Sequence, residues 1–365
     1  MRYLTSPTRI RVSRRALALT FALSAIAVFS ATGQTAESTV KYFTWGGYDD
    51  ASFRKPYIDK YGSGPEFIFY AHPDEAFVKL QSGFAADVAH PCIHDVKKWK
   101  DAGLLNPIDP AKVAGWNDLI PELRDAPALV LDGQHWLVPW EWGASSVIYR
   151  TDQVTPKEES FSILIDPALK GRTALVDAFD EVYRLAAVLA GVKDPLALEE
   201  AEYAKVEAMF RTLRDNARFV WTDPAQLQQA LVSGEVVAAW GWPNVYKNLK
   251  KDKVQVAFMT KPKEKLVTWL CGIAHLKSAK APETEIYDFI NALEAPESGK
   301  ALVENWGYGH ANTKALQKVA PAELEALGIS GDPSTFLANG NLLGPMPEEQ
   351  RKRLTKMWDD IKAGG

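Results

Sequence analysis

The chain has 365 residues, of which 47% are hydrophobic and 24% charged, an ordinary globular composition that suffices for two domains of about 150 residues each. After residue 33 no window offers the roughly 20 consecutive apolar residues of a membrane span, so we expect a mature chain free of the membrane. Lys and Arg number 42 against 46 Asp and Glu, and this acidic balance argues against nucleic-acid binding.

The first 33 residues are predicted to be a secretory signal peptide. An arginine-rich segment without acids precedes the apolar run 16–29, and the small residues Ala31, Thr32 and Gly33 follow it. Cleavage after Gly33 would remove five arginines and change the formal net charge from −4 to −9. No cysteine near this point could carry a lipid anchor. The sequence therefore predicts a free periplasmic protein whose charge suits cationic solutes.

The stretch 40–50, V-K-Y-F-T-W-G-G-Y-D-D, predicts a first strand that stops at Trp45. Gly46 and Gly47 allow a sharp turn there, because glycine has no Cβ. Trp45 and Tyr48 then stand just beyond the carboxyl end of the strand, where open α/β sheets place their ligands. Burial of both rings in the core is the alternative.

The following segments alternate between helix and strand patterns, which is typical of a mostly parallel sheet covered by helices. Helices are predicted at 53–61, 73–82 and 94–101, and strands at 66–70 and 87–89. The proline-rich segment 104–128 is expected to be a surface connection. Segment 134–150 is expected to be a long strand that crosses from a first domain to a second.

The second half of the chain restarts this alternation and then returns. Strands are predicted at 173–176, 218–221 and 235–239, and helices at 180–190, 198–214 and 224–233. Segments 253–259 and 266–275 predict a second crossover. Helices at 283–293, 296–306 and 347–363 complete the chain.

Aromatic residues gather at the ends of predicted strands. They occur as T-W-G-G-Y at 44–48, W-E-W at 140–142, W-G-W-P at 240–243 and T-W-L-C-G at 268–272. A single tryptophan is more often part of the core, but several at such turns predict an aromatic-lined pocket. Aromatic faces attract cations, so this pocket suits an amine or a quaternary ammonium.

A pocket for a cation also needs an anion. The candidates are Asp177, Asp180 and Glu181 at the start of a predicted helix, and Glu141 between two tryptophans. For Asp180 and Glu181 the alternatives are a helix cap and a favourable interaction with the helix dipole. Arg184 could bind a ligand carboxylate, or it could form an ion pair on the helix surface.

Catalytic and metal-binding patterns are missing from the sequence. No P-loop, G-x-S-x-G or dinucleotide motif occurs, and the six histidines lack metal-binding spacing. The sequence therefore predicts neither an enzyme nor a metal or cofactor. The rival functions are a secreted hydrolase, which would need an opposed acid pair, and a sugar-binding protein with an aromatic cleft.

The order and spacing of several stretches resemble the periplasmic spermidine/putrescine-binding proteins of ABC importers. These stretches include Y-F-T-W-G-G-Y at 42–48, V-P-W-E-W-G-A-S-S-V-I-Y at 138–149, E-V-V-A-A-W at 235–240 and W-G-Y at 306–308. The resemblance implies an α/β, two-domain venus-flytrap fold with mostly parallel sheets and a two-crossover hinge. It implies a monomer that closes on an amine and docks to a membrane permease. The first domain would comprise 38–139 plus 256–312, and the second 140–255 plus 313–365.

The resemblance also implies a set of ligand-binding residues. The family's aromatic positions fall on Trp45, Tyr48, Trp240, Trp269 and Tyr308, and one acidic position falls on Glu181. Apart from Tyr308, the matching positions coincide with residues that the aromatic strand ends and the candidate acids indicate independently.

Departures from the family pattern bear on the ligand. A family acid falls on Cys271, a tyrosine on His94 and a small hydroxyl residue on Cys92, while Asp177 could replace a second missing acid. With fewer acids, a single-amine zwitterion such as γ-aminobutyrate, with Arg184 on its carboxylate, or a quaternary ammonium is the alternative to a polyamine. We also expect Cys92 and Cys271 to form a disulfide in the first domain.

Overall fold

The computed structural model describes residues 38–329 and 333–364. The predicted signal peptide lies outside these residues. Within them, no helix combines the length and the apolar character that crossing a membrane requires.

The strands are distributed along the whole described chain and vary from two to thirteen residues. They are β1 Lys41–Trp45, β2 Glu66–Tyr70, β3 Val88–Ala89, β4 Leu105–Asn106, β5 Val130–Leu131, β6 Gln134–His135, β7 Val138–Arg150, β8 Thr173–Val176, β9 Ala217–Trp221, β10 Ala238–Gly241, β11 Val256–Phe258, β12 Val267–Leu276, β13 Gly309–His310 and β14 Asn341–Leu342.

Helices alternate with these strands. They are α1 Lys55–Tyr61, α2 Pro73–Gln81, α3 Ile93–Asp101, α4 Pro121–Arg124, α5 Phe179–Leu189, α6 Glu200–Asn216, α7 Pro224–Ser233, α8 Pro243–Lys251, α9 Glu283–Leu293, α10 Pro296–Trp306, α11 Thr313–Leu316, α12 Pro321–Ala326, α13 Pro333–Ala338 and α14 Glu348–Lys362. Many begin with proline, whose fixed φ and missing N–H suit the first turn of a helix.

Two parallel strand groups are joined by antiparallel crossovers. The strand order is β2-β1-β3-β12-β7-β10-β8-β9. The first group, β2-β1-β3, and the second, β10-β8-β9, are each parallel inside. Strands β7 and β12 lie between them and pair antiparallel with each other and with the adjoining group. The two crossovers expected from the sequence are therefore confirmed. The exact domain boundaries stay a prediction.

The pairing of β7 with β12 contains a bulge next to Glu141. Cys271 pairs with Glu141, but the next residue, Gly272, pairs with Pro139, so Trp140 has no partner on β12. Such an extra residue bends the strand and redirects its side chains. A Cβ on Gly272 would overlap the carbonyl oxygen of Val138, so only glycine fits this close approach.

Some predicted elements need correction. The strand predicted at 235–239 is β10 at Ala238–Gly241, because the chain is still turning after α7: Gly234 adopts a φ of 76° and the Val236 amide bonds back to Ala230. The connection 104–128 contains β4, short 3-10 turns and α4. The helix predicted from residue 53 opens with a 3-10 turn, and α1 proper begins at Lys55.

We predict that Gly272→Ala destabilises the protein by about 2 kcal/mol or more, because the added methyl group forces β7 and β12 apart. Gly46→Ala is the matched control, since a Cβ there meets nothing within 4 Å. Chemical denaturation of both variants measures the difference. Equal unfolding free energies for the two variants would contradict the close approach.

Candidate functional site

Glu141 on β7 lies buried at the bulge, with only 2% of its surface exposed. The Tyr48 hydroxyl donates a hydrogen bond to its Oε1, while Oε2 is buried without a partner. The Nε2 of His90 lies 3.4 Å from Oε1. Burial raises the pKa of Glu141 to about 8, which the hydrogen bond from Tyr48 offsets only in part. Burial lowers the pKa of His90 to about 3, so its imidazole brings no positive charge at neutral pH.

A continuous chain of aromatic rings begins at Tyr48, the hydrogen-bond partner of this carboxyl group. The ring of Tyr48 lies 4.6 Å from Trp306 and 5.6 Å from Trp140. Trp306 lies 5.5 Å from Tyr308, which in turn lies 4.8 Å from Trp269. Three of these four contacts are edge-to-face, the geometry that aromatic quadrupoles favour, and the fourth is tilted.

Glu181 in the first turn of α5 is a second buried carboxylate, 6% exposed. The indole N–H of Trp240 donates to its Oε2 at 3.2 Å, and that of Trp242 to its Oε1 at 3.4 Å. Burial raises the pKa of Glu181, although the hydroxyl of Ser145 and both indoles act in the opposite direction. Among the described residues, no lysine or arginine forms an ion pair with it.

One face of β7 links the two carboxylates. Side chains two residues apart on a strand share a face, so Glu141, Gly143 and Ser145 point the same way, and Ser145 lies about 13 Å along the strand from Glu141. The indole of Trp269 lies over Gly143, where a Cβ would come within 2.7 Å of the ring. Burial and the charges of Glu141 and Glu181 together raise the pKa of Tyr308, which therefore lies near both.

Cys92 and Cys271 form the expected disulfide. Cys92 is the residue that precedes α3, and Cys271 faces Glu141 across the β7–β12 pair. The bond therefore joins the first helical turn of α3 to the crossover strand beside the Glu141 carboxyl group.

His94 and Asp180 meet outside the aromatic chain. The Nε2 of His94 lies 3.7 Å from Asp180 and 3.5 Å from Asp95. Asp180 also forms a two-pronged ion pair with Arg351 of α14, at 2.5 and 2.9 Å, and Arg351 reaches Asp74 of α2 at 3.2 Å. Asp180 is therefore not the N-cap residue of α5, because Ala178 occupies that position. It belongs to an ionic contact that joins α2, α5 and α14.

The other residues indicated by the sequence have contacts of their own. Asp177 pairs with Lys362 at 2.7 Å. Arg184 is 5% exposed and donates to the carbonyl oxygen of Leu342 at 2.8 Å, so a surface ion pair is wrong for this residue. Trp45 is half-buried, with its indole N–H on the carbonyl oxygen of His90 at 3.0 Å.

Sequence reasoning missed several members of the site. His90, Trp306 and Trp242 are brought in by tertiary contacts, and only Trp242, within W-G-W-P, belonged to a pattern that indicated the pocket. Arg351 lies on the last helix, more than 150 residues from Asp180, and no local signal connects the two.

The fold, two α/β strand groups joined by paired crossover strands, is that of a solute-binding protein. Residues 74–328 match the model of the family described as bacterial extracellular solute-binding protein, and the chain belongs to that family.

Individual relatives agree with this assignment. The spermidine/putrescine-binding periplasmic protein of Salmonella typhimurium is 25% identical over 314 residues, which cover 84% of this chain and 87% of the relative. The solved structure titled putative spermidine/putrescine ABC transporter from Listeria monocytogenes has a TM-score of 0.78 at 20% identity, over 90% of this chain and 99% of that one. MotA from A. tumefaciens B6, in complex with glucopine, has a TM-score of 0.72 at 19% identity, over 89% and 100%. The predicted two-domain binding-protein fold is confirmed.

We predict that Cys92→Ser with Cys271→Ser lowers the free energy of unfolding by about 3–5 kcal/mol, because the disulfide restricts a long loop of the unfolded chain. Denaturant titration of the wild type and the double variant measures this loss. Thiol quantification of the unreduced protein in urea should find no free thiol, and two titratable thiols would contradict the bond.

We predict that Asp180→Asn costs about 3 kcal/mol of stability, because it leaves the buried Arg351 guanidinium without its main partner. Glu200→Gln, which removes the partner of the exposed Arg353 on the same helix, should have no measurable effect.

Burial raises the pKa of Asp180, but the charges of Arg351 and His94 outweigh it and hold the pKa below its ordinary value. The stabilisation is therefore present above about pH 4 and is lost as the pH falls further. If the difference in unfolding free energy between the wild type and Asp180→Asn does not decrease in acid, this assignment is contradicted.

Proposed function

We propose that this protein is the periplasmic solute-binding component of an ABC importer and that its solute is a small amine of the polyamine type, such as putrescine or spermidine. It binds the amine, passes it to a membrane permease and performs no chemistry on it. It is exported by a cleaved signal peptide and acts as a monomer. Its relatives, named as spermidine/putrescine-binding and putrescine-binding periplasmic proteins, support this proposal.

The observation that carries the proposal is the Glu181 carboxylate, buried against two indoles without a cationic partner among the described residues. An ionised carboxylate in such a place is costly unless a positive charge joins it. An ammonium group supplies that charge and hydrogen-bond donors, and the aromatic rings of Trp269 and Tyr308 offer further favourable contacts to a cation and its methylene chain.

The paired crossover strands supply the hinge. In this proposal the domains, 38–139 plus 256–312 and 140–255 plus 313–365, rotate about β7 and β12. The residues of the pocket come from both strand groups: Tyr48 follows β1, whereas Glu181 and Trp240 lie beside β8 and on β10. A ligand that bridges them binds the closed state better than the open one and shifts the population toward closure. The closed form then presents a joined surface to the permease.

We predict that putrescine or spermidine raises the melting temperature and changes the tryptophan fluorescence, because tryptophans line the pocket and the ligand binds only the folded state. γ-Aminobutyrate and choline test whether a solute with one positive charge is bound instead. A neutral sugar tests the alternative of a sugar-binding protein with an aromatic cleft. If none of the amines changes either signal, the proposed function fails.

Glu181→Gln should weaken amine binding by about 30-fold or more, because it removes the charge but keeps the shape of the side chain. Glu235→Gln is the matched control, since Glu235 pairs with the exposed Arg218 away from the pocket. Isothermal titration gives the affinities. A sugar ligand would bind the Glu181→Gln variant nearly as well as the wild type.

A further inference from the structure

The carboxyl group of Glu141 has the surroundings of a cation subsite. One oxygen accepts the Tyr48 hydroxyl, and the other is buried without a hydrogen-bond partner. Of the described residues, only His90 brings a basic nitrogen within 4 Å. The protein thus fixes one oxygen of this carboxyl group in place and leaves the second for a donor from outside.

The groups that face Glu141 do not neutralise its charge. Three buried phenols lie near Glu141: Tyr42 on β1, Tyr70 on β2 and Tyr308 before β13. Burial is the main cause that raises their pKa values, and the charge of Glu141 is a further cause, so all three phenols stay neutral. Arg54 donates to backbone carbonyl oxygens of the turn that carries Tyr48.

The neighbouring strands do not supply a charge either. Cys271 on β12 is held in the disulfide. Across β13, burial lowers the pKa of His310 to about 4, so that ring is also neutral at neutral pH. Within the described parts of the chain, no lysine or arginine therefore forms an ion pair with Glu141.

We propose that Glu141 binds an ammonium group of the solute and that this binding releases the proton of the carboxyl group to solvent. The proposal rests on the proposed function and extends it to a second carboxylate, on the hinge strand rather than on α5. On binding, the ammonium keeps its three protons, the O–H bond of the carboxylic acid breaks, and the buffer takes the proton of the acid.

The position of Glu141 explains how one solute can reach both carboxylates. Glu141 and Ser145, the neighbour of Glu181, lie about 13 Å apart on one face of β7, with the indole of Trp269 between them. A linear chain with an ammonium at each end spans such a site while its methylene groups cross the aromatic face. A solute with one ammonium fills only one end, so Glu141 selects for the second charge.

Calorimetry of amine binding in buffers of different ionisation enthalpy tests proton release. With the pKa of Glu141 raised to about 8, the free protein is mostly protonated there at pH 7. Wild-type protein titrated with spermidine or putrescine in phosphate and in Tris should release about one proton, and its affinity should rise by up to about tenfold per pH unit between pH 6 and 8. Glu141→Gln should release none, lose the pH dependence and bind the polyamine at least tenfold more weakly.

Glu294→Gln is the matched control. Glu294 is equally buried, burial raises its pKa, and both its oxygens are buried without partners, but it makes none of the contacts that surround Glu141. This variant should keep the affinity and the proton release of the wild type. If Glu141→Gln binds and releases protons as the wild type does, the proposal is overturned while the amine function stands.

A measurement without ligand distinguishes the buried, protonated carboxyl group of Glu141 from its role as an ammonium subsite. A carboxyl group with a raised pKa stabilises the folded state at low pH, and this contribution disappears as the pH rises from about 4.5 through 8. The melting temperature of Glu141→Gln relative to the wild type should therefore increase with pH across that range. A constant difference overturns the buried, protonated carboxyl group. An increasing difference without binding of any amine overturns the ammonium subsite together with the proposed function.

Discussion

The antiparallel pairing of β7 with β12 is the interaction on which the rest of the structure depends. These strands are the shared border of two parallel groups that otherwise pair only with themselves. Because they are buried along almost their whole length, their register determines which side chains face the space between the groups. Shifting it by one residue would turn Glu141 to the face opposite that of Trp269. The bulge at Trp140 and the glycine at 272 hold this register in place.

The candidate site places two carboxyl groups in an apolar setting. Glu141 and Glu181 are both enclosed by aromatic residues, and burial raises the pKa of each. Neither carboxylate has the lysine or arginine partner that stabilises Asp180, within the described part of the chain. A protein built only for stability would pair or replace such groups. Two such groups beside aromatic residues fit the proposed site, whose counter-charge would arrive with the solute.

Around this centre, polar contacts connect distant parts of the chain. Arg351 of α14 joins Asp180 and Asp74, which lie on helices that follow different strand groups. The disulfide ties the start of α3 to β12 next to Glu141. The C-terminal helix and the cysteine pair thus tie distant segments of the fold together.

Local sequence determined most of the elements of this protein. Periodicity, prolines and glycines gave β1, β2, β8, α7, α9 and α10 with nearly their observed bounds, and the aromatic strand ends indicated the pocket and Glu181. Tertiary structure alone decided which acids stay free: Asp177 and Asp180 gained partners from α14, whereas Glu141 and Glu181 did not. It also placed His90 beside Glu141 and Trp306 against Tyr48. Spacing along a chain encodes local backbone preferences, but the pairing of charges depends on contacts between residues far apart in sequence, which only the folded packing creates.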